Sequence, residues 1–519
     1  DRLIQKVIAK ENPINVDELL VVTFTNASAA EMRHRMREAL EKAIALDPNS
    51  NHLRKQLTLL NKAQISTLHS FCLNIVRQYS YMLTIDPGFR IADDTEAALL
   101  RDDVLADILE EAYQTENPDA MYLLSDSFTS DRDDQSIEVM IDKLYTYARV
   151  HPEPKKWLLA IPEAYELDSN MTIDELPFID PLKLSIIYQL EEAMALAEDI
   201  RKLANLPDGP APLGETAIND QQLIQEAIRL LKMGSWQDTY YYFQELKWGK
   251  AASIRKDSCD EELKKKATSK RNKAKKVVND LKDKYFTRTP ERLLEEMRLM
   301  APHLKTLVNL AISYGERYTA AKNDRGLVDF SDLEHYALEI LTDHDEDGNL
   351  VSSAIAKEYQ ERFKEVLVDE YQDTNNLQET ILQLVKSGDE LTGNMFMVGD
   401  VKQSIYRFRL AEPMLFLGKY RVFNEEPLES GVKIDLNANF RSRQEVLHGT
   451  NYIFQQIMGK NVGEIDYDDA ASLKPQAPYD DKDAAVELAL LYEVEDGSAE
   501  VDADEEDFSS VDAEEELKK

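Results

Sequence analysis

Cysteine, glycine and proline are all scarce in this chain of 519 residues. The 2 cysteines, Cys72 and Cys259, are too few for a disulfide framework or a cysteine-rich zinc site. With 17 glycines and 18 prolines, the composition also excludes collagen-like and low-complexity proteins. No apolar run approaches the roughly 18 residues of a membrane-spanning helix. We therefore expect a globular protein of the reducing cytoplasm.

Positive charge is also in deficit, because 61 lysines and arginines face 98 aspartates and glutamates, a formal net charge of −37. Such acidity argues against non-specific coating of nucleic acid, but it permits a local DNA channel. Residues 491–519 hold 13 acidic and 2 basic side chains and are interpreted as a solvated tail. Residues 247–288 hold 15 basic and 6 acidic ones. This basic region is interpreted either as a solvated helix face or as a contact with DNA phosphates or a partner protein.

Short apolar runs alternate with amphipathic segments in both halves of the chain, which predicts an α/β fold with a parallel sheet. The predicted strands are apolar and are each followed by polar residues; they are 19–24, 65–68, 366–368, 395–398 and 432–436. A long stretch of helical patterns separates the second strand from the third. We therefore expect a large all-α insertion within an α/β domain, and ligands at the carboxyl ends of the strands.

Two adjacent carboxylates, Asp369 and Glu370, follow the third predicted strand. Hydrolysis of a nucleotide phosphate needs an acid that holds Mg²⁺ and a group that orients the attacking water. Asp369 suits the metal and Glu370 suits the water. The alternative is a merely solvated strand end, which the whole string from Val366 to Thr374 disfavours.

Polar, aromatic and basic residues alternate after the fourth predicted strand. Gln403 is placed to reach a terminal phosphate. Tyr406 and Phe408 can stack on bases, a contact that contributes roughly 1–3 kcal/mol per base and tolerates any base sequence. Arg407 and Arg409 can meet phosphates. The alternative, that the two rings belong to the core, is disfavoured by the glutamine and arginines around them.

Arg441 lies between the last predicted strand and a helical pattern. An arginine at such a position can stabilise the charge that develops on a transferred phosphate. Taken alone, a plain surface arginine is the better interpretation of this residue.

Together these strings resemble the motifs of superfamily 1 DNA helicases of the UvrD/Rep type. Their wording is closely similar to the AddA branch, which belongs to the helicase–nucleases of Gram-positive bacteria. The matching strings are 24–32, 66–72, 369–373, 399–409 and 439–442, with 329–333 where the chain re-enters the first motor domain. The resemblance implies a P-loop NTPase (RecA-like) sheet, the use of ATP and Mg²⁺, and 3′-to-5′ movement on DNA. It also implies work on single strands and duplex ends during the repair of double-strand breaks, and the partner that it implies is an AddB-type helicase/nuclease subunit.

The same resemblance implies roles for individual residues. The implied catalytic residues are Asp369, Glu370, Gln403 and Arg441, with Asp369 as the metal ligand. The implied nucleotide contacts are Asp369, Asp373, Gln403, Phe440 and Arg441. The implied DNA contacts are Phe24, Thr25, Asn26, His69, Tyr406, Phe408 and Arg409. For His69, a hydrogen-bonded structural histidine is the open alternative.

The resemblance also implies a domain organisation. Motor domain 1A has two parts, residues 1–94 and 324–435, on either side of a helical insertion, domain 1B, at 95–323. Motor domain 2A begins in residues 436–492, and the acidic tail occupies 493–519.

Some family features are missing from the sequence. A phosphate-cradling GxxxxGK[ST] loop occurs nowhere in the chain, and nothing after Ser442 resembles the family's later motifs or a nuclease site. Leu410 also stands where many relatives have glycine. We therefore expect a fragment that is inactive as an ATPase by itself. The alternative function is a non-enzymatic scaffold, a degenerate helicase that binds DNA and a partner; the intact motif residues favour the enzyme.

Overall fold

A computed structural model describes residues 2–9, 11–115, 118–129, 133–255, 258–389, 392–423, 431–479 and 485–489. The chain divides into two compact units, the first comprising residues 1–423 and 429–431 and the second residues 424–428 and 432–519. Each unit is described by itself. The predicted acidic tail at 493–519 lies outside the described residues. None of the described helices combines the length and the apolar character that crossing a bilayer requires.

The described residues form ten strands and nineteen helices. The strands are β1 Leu19–Thr23, β2 Gln64–Thr67, β3 Arg90–Ile91, β4 Leu327–Val328, β5 Thr342–His344, β6 Leu350–Ser352, β7 Glu365–Val368, β8 Met395–Met397, β9 Ala438–Asn439 and β10 Lys474–Pro475. The helices are α1 Arg2–Ile8, α2 Asn26–Leu46, α3 Asn51–Leu59, α4 Leu68–Gln78, α5 Asp94–Gln114, α6 Asp119–Phe128, α7 Gln135–Ala148, α8 Pro154–Glu163, α9 Ile179–Ala204, α10 Ala211–Met233, α11 Trp236–Glu245, α12 Glu261–Tyr285, α13 Pro290–Asp324, α14 Phe330–Leu341, α15 Ala354–Arg362, α16 Asn376–Val385, α17 Pro413–Val422, α18 Gln444–Ile457 and α19 Lys460–Gly463.

A four-stranded parallel sheet in the order β2-β1-β7-β8 lies at the centre of the first unit. Val368 is in register with Val22 on one side and with Met397 on the other, so three neighbouring strands end at the same edge. Leucine and valine dominate these strands, as is usual for parallel strands buried on both faces. The predicted α/β fold with a parallel sheet is confirmed, and four of the five predicted strands are present to within one residue at each end.

Helices cover both faces of this sheet, because successive residues of a strand point to opposite sides. Leu20 and Val22 of β1 belong to the apolar cluster that includes α4, α14 and α16. Leu19 and Val21 belong to the cluster that includes α1, α2 and α3. Packing on both faces fixes the strands, and with them the loops at their carboxyl ends.

The described residues between Asp94 and Asp324 form α5 to α13 and contain no strand. Two large apolar clusters stabilise this helical region, one around Tyr314 and the other around Phe243. The 35-residue helix α13 contributes to both clusters. β3 and β4, which flank the region, pair in parallel, so the chain enters and leaves it at neighbouring points. The domain boundaries at 94/95 and 323/324 stay predictions.

In the second unit, β9 pairs in parallel with β10, and α18 lies beside them through the Asn451 amide, which bonds both backbone groups of Leu473 at 3.0 Å. The strand predicted at 432–436 is wrong, because these residues form only a single bridge at its first position. Ile434 and Leu436 are 70% and 87% exposed, so the apolar alternation has no buried face that would hold it in a sheet.

Candidate active site and nucleic-acid interface

The carboxylates Asp369 and Glu370 stand where β7 ends, beside the end of β1. The Asp369 N–H donates to the Val22 carbonyl at 2.9 Å, which extends the pairing of the two strands. Asp369 is half-buried, and burial, followed by the charge of Glu370, raises the pKa of its carboxyl. Glu370 is exposed and has a left-handed backbone with φ of 50°. Such strain costs about 1–3 kcal/mol in a non-glycine residue and is often found at functional sites.

Asp373 adds a third carboxylate to this group. Burial, and next the charge of Glu370, raise the pKa of Asp373 to about 6. Its Oδ1 is buried and accepts no hydrogen bond from the described residues, while its Oδ2 accepts one from Gln372 Nε2 at 3.3 Å. A desolvated carboxylate oxygen without a donor suits a divalent cation. No three His, Cys, Asp or Glu side chains among the described residues form a closed metal cage. Mg²⁺ does not need one, since one or two carboxylates and substrate phosphates usually hold it.

Gln403, the predicted phosphate contact, is connected to these carboxylates by hydrogen bonds. Gln403 Nε2 donates to Asp400 Oδ2 at 3.0 Å. The Asp400 N–H donates to Gln372 Oε1 at 3.0 Å, and Gln372 Nε2 donates to Glu370 Oε2 at 2.8 Å. Sequence reasoning missed Gln372, because a glutamine among carboxylates has the composition of a solvated turn. The signal that points to it is Gly399, where a Cβ would lie 2.6 Å from Gln372 Oε1.

Phe24, Tyr406 and Phe408 form an exposed aromatic strip. The ring centroids of Phe24 and Tyr406 are 4.8 Å apart, and those of Tyr406 and Phe408 are 5.9 Å apart. Phe24 and Phe408 are 39% and 75% exposed, which excludes the alternative that these two rings are core residues. The Arg409 guanidinium lies 5.3 Å from the Tyr406 centroid and 5.6 Å from that of Phe408. Aromatic rings beside a cation form a platform that suits stacked bases and their phosphates.

Thr25 and Asn26 stand at the start of α2, directly after Phe24. The Thr25 hydroxyl accepts a hydrogen bond from the Ser28 N–H at 3.1 Å and so caps the helix. The Thr23 hydroxyl donates to the Thr25 carbonyl at 3.0 Å. Asn26 is exposed in the first turn. Thr25 therefore fixes the turn that carries Phe24, whether or not it also contacts a ligand.

His69 lies on α4 against a buried carboxylate. Its Nε2 is 3.2 Å from Glu334 Oε1, and its ring meets Phe330 edge-on with centroids 5.1 Å apart. Glu334 also accepts a hydrogen bond from Gln378 at 2.8 Å, and burial raises the pKa of Glu334. His69 keeps 41% of its side-chain surface exposed. This geometry suits a structural histidine and equally a DNA contact, so both alternatives stay open.

Phe440 and Arg441 belong to the second unit, on the turn between β9 and α18. The Asn439 side chain accepts hydrogen bonds from the N–H groups of Arg441 and Ser442, both at 2.9 Å. The Tyr479 hydroxyl donates to the Arg441 carbonyl at 2.5 Å. Both predicted side chains are exposed on this hydrogen-bonded turn.

Leu410 has a left-handed backbone with φ of 63°, immediately after the aromatic strip. Only glycine adopts this conformation without a steric cost. The position at which the sequence departs from the family's glycine is therefore one where the backbone favours glycine.

The basic region is largely accounted for by the helical bundle. On α12, Lys270 pairs with Asp199 at 2.8 Å, and Arg271 makes a buried pair with Asp220 at 2.6 Å. Lys265 and Lys276 are exposed. A helix that packs through some of its cations and displays others fits both interpretations of this region, and neither is excluded.

Comparison with known proteins identifies relatives over the whole chain. Residues 2–424 match the family model described as the UvrD/REP helicase N-terminal domain. The AddA component of the ATP-dependent helicase/nuclease of Lysinibacillus sphaericus (strain C3-41) is 60% identical over 523 residues, covering 100% of this chain and 42% of that protein. The proteins of the same name from Bacillus velezensis and Bacillus cytotoxicus are 49% and 51% identical, covering 98% and 95% of this chain but 41% and 40% of theirs.

The chain thus spans about two fifths of the length of these curated relatives. The family model, by contrast, covers most of the chain, including the sheet, the helical region and the aromatic strip. The chain belongs to the UvrD/REP helicase family, in the N-terminal domain of that family.

Proposed function

We propose that this chain is a motor segment of an ATP-dependent 3′–5′ DNA helicase within a helicase–nuclease complex. Its substrates are single strands and duplex ends of DNA at double-strand breaks, and the complex serves recombinational repair in the cytoplasm. The partner is an AddB-type subunit. The parallel sheet is the core of a P-loop NTPase of the RecA-like kind, with residues 95–323 as insertion 1B and residues 436–492 as the start of domain 2A. The names of the relatives and the family match support this proposal.

One observation carries the proposal: a carboxylate group and an exposed aromatic strip lie at the same edge of one parallel sheet. Asp369 and Glu370 follow β7, and Phe24 follows the neighbouring strand β1. Tyr406 follows β8 and contacts Phe24. A translocating motor has to change its hold on DNA as it hydrolyses a nucleotide, so the two sites need a common rigid support.

For nucleotide hydrolysis, Asp369 and Asp373 offer the carboxylate oxygens that would hold Mg²⁺. The bound cation supplies charge neutralisation on the phosphates. Glu370 orients the attacking water and takes its proton. Gln403 contacts the terminal phosphate.

In the second unit, Phe440 packs near the adenine and Arg441 stabilises the charge of the transition state. DNA bases stack on Phe24, Tyr406 and Phe408, while Arg409 meets phosphates. Thr25, Asn26 and His69 extend the single-strand path.

The test is Glu370→Gln in a protein that carries this segment together with a phosphate-binding loop. The amide keeps the shape of the side chain but cannot accept the proton of water, so we expect the DNA-stimulated ATPase rate to fall by about 10²- to 10⁴-fold. ATP affinity and single-strand affinity should change little. A variant that retains near-normal ATPase would contradict the assignment and favour the scaffold alternative. The 519-residue chain itself, which contains no GxxxxGK[ST] string, is the control expected to show negligible turnover.

A further inference from the structure

The amide of Gln372 bridges two loops that come from different strands. Gln372 is 1% exposed and lies in the turn after β7. Its Nε2 donates to Glu370 Oε2 at 2.8 Å and to Asp373 Oδ2 at 3.3 Å. Its Oε1 accepts from the N–H of Asp400, in the loop after β8, at 3.0 Å. The bridge therefore joins the carboxylates to the backbone of the next loop.

The orientation of this amide follows from its partners. A backbone N–H can only donate, so the Gln372 oxygen must face Asp400. The Gln372 nitrogen then faces Glu370 and Asp373, whose carboxylates can accept its two hydrogens. No other uncharged side chain of this length offers a donor and an acceptor in one plane. A methionine would fill the same space without either.

Gly399 lets the bridge form. A Cβ at residue 399 would lie 2.6 Å from Gln372 Oε1 and 3.2 Å from Phe416 Cε2. The glycine is needed for this close approach, because its φ is not in the left-handed range. Both ends of the contact are thus shaped for it.

The bridge continues toward the aromatic strip. Asp400 accepts hydrogen bonds from Gln403 Nε2 at 3.0 Å and from the Lys402 N–H at 3.1 Å. The Ile405 N–H donates to the Gln403 carbonyl at 2.9 Å, and the next residue is Tyr406. A displacement of the strip by a bound strand would reach Gln372 through these few hydrogen bonds.

We propose that Gln372 is a positioning residue that links the orientation of the Glu370 carboxylate to the position of the loop at 399–409. The inference rests on the proposed function and deepens it, since it names the contact through which single-stranded DNA stimulates hydrolysis. Gln372 holds Glu370 in its strained turn, and movement of the loop moves Glu370 with it. Gln372 itself touches neither water nor nucleotide.

The experiment compares Gln372→Met with the unchanged protein, in a protein that carries this segment together with a phosphate-binding loop. Basal and DNA-stimulated ATPase rates are measured with KM for ATP, single-strand affinity and melting temperature. We expect the ratio of stimulated to basal kcat to fall at least tenfold, while KM and DNA affinity change less than threefold. Gln360→Met is the matched control, because Gln360 is also partly buried and donates to Ser352 and Leu384 far from the site. It should keep the ratio.

A second pair of variants covers the case in which Gln372→Met fails to fold. Gly399→Ala keeps the amide but pushes it from Asp400, so it should lower the same ratio. In Gln372→Ala the space is free, and adding Gly399→Ala should then have little further effect. Additive effects, or a ratio that stays high in Gln372→Met or Gly399→Ala, would overturn the inference.

Glu370→Gln separates this inference from the proposed function. If Glu370→Gln keeps its ATPase, the proposed function fails whatever Gln372 does. If Glu370→Gln loses its ATPase while Gln372→Met keeps full stimulation, only the coupling through Gln372 is wrong.

Discussion

The ring of Phe24, directly after the first strand of the sheet, lies 4.8 Å from the ring of Tyr406, in the loop beyond the last. The long helical region between these two residues in sequence does not separate them in space, because β1 and β8 both flank β7. A surface built from both ends of the first unit responds to any shift between its strands. This is the property that a motor needs where it grips a polymer.

The aromatic strip is expected to supply much of the affinity for single-stranded DNA. With a formal charge of −37 the chain has no long-range attraction to DNA, so local contacts must provide the binding energy. Tyr406→Ala or Phe408→Ala should weaken binding by roughly 1–3 kcal/mol, about 5- to 150-fold. The loss should be similar on poly-dT and on mixed sequence. Fluorescence-anisotropy titration of the 519-residue chain measures it.

Tyr241→Ala is the control for the strip, since Tyr241 is 55% exposed in the helical region and belongs to no proposed DNA contact. Its affinity for DNA should not change. The strip would be a packing feature instead if Tyr406→Ala bound DNA normally but melted well below the unchanged chain.

Arg409 is expected to act through charge. Removing one phosphate contact lowers the slope of log K against log salt concentration by about one unit or slightly less. Arg409→Ala should flatten the slope, whereas Phe408→Ala should leave it nearly unchanged. Arg409→Lys keeps the charge and should restore most of the slope. Titrations at four or more salt concentrations check this, and a slope that stays the same in Arg409→Ala would remove Arg409 from the phosphate contacts.

Sequence patterns predict the sheet well because its strands are buried on both faces. The runs at Leu19–Thr23 and Glu365–Val368 have no polar interruption that a helix would need. The same reasoning fails at 432–436, where apolar residues alternate but Ile434 and Leu436 remain exposed. Alternation predicts a strand only if something covers one face.

Contacts between distant residues set the limit of what the sequence predicts about the site. The carboxylates and aromatic residues were recognised from their strings and from the family resemblance. Gln372 was missed, because its role depends on the Gly399 backbone of another loop. Lys322 was missed because a lysine near the end of a helix is normally solvated, whereas here it is 1% exposed.

The raised pKa of Asp373, about 6 in the folded protein against about 3.9 in an unfolded chain, makes stability depend on pH. Between about pH 4 and pH 6 the folded state keeps a proton that the unfolded state has released, so the free energy of unfolding falls as pH rises through this window. Asp373→Asn should remove this contribution. The variant should gain stability relative to the unchanged chain from pH 4 to pH 7, by less than about 1.4 kcal/mol per unit of pKa shift because the side chain is partly solvated.

Urea unfolding at several pH values measures the difference between Asp373→Asn and the unchanged chain. Asp347→Asn, on the exposed turn between β5 and β6, controls for the loss of one negative charge. A bound Mg²⁺ ion favours the ionised carboxylate, so added Mg²⁺ should narrow the difference at pH 7. A difference that does not vary with pH would show that Asp373 is not the titrating group.

A buried group of charges joins the helical region to the sheet. Lys322, at the end of α13, places its Nζ 2.6 Å from Asp329 Oδ2 and 2.5 Å from Asp332 Oδ2. The Lys322 Nζ also lies 4.1 Å from the Tyr318 ring centroid. Arg149, just after α7, reaches Asp332 Oδ1 at 3.1 Å. Both aspartates stand at the start of α14, so the group links both helices of the helical region to α14.

Lys322→Met should destabilise the chain by about 3–5 kcal/mol, because it leaves two buried carboxylates without their main counter-charge. Adding Asp329→Asn and Asp332→Asn should recover much of the loss, since the uncompensated charges are then gone. Lys155→Met, which removes a solvent-exposed pair with Glu316, is the control and should cost about 0–1 kcal/mol. Urea unfolding gives the free energies, and hydrogen exchange at the start of α14 locates the change. A cost for Lys322→Met as small as that of Lys155→Met would mean that Lys322 is solvated in solution and that the helical region is held to the sheet by apolar packing alone.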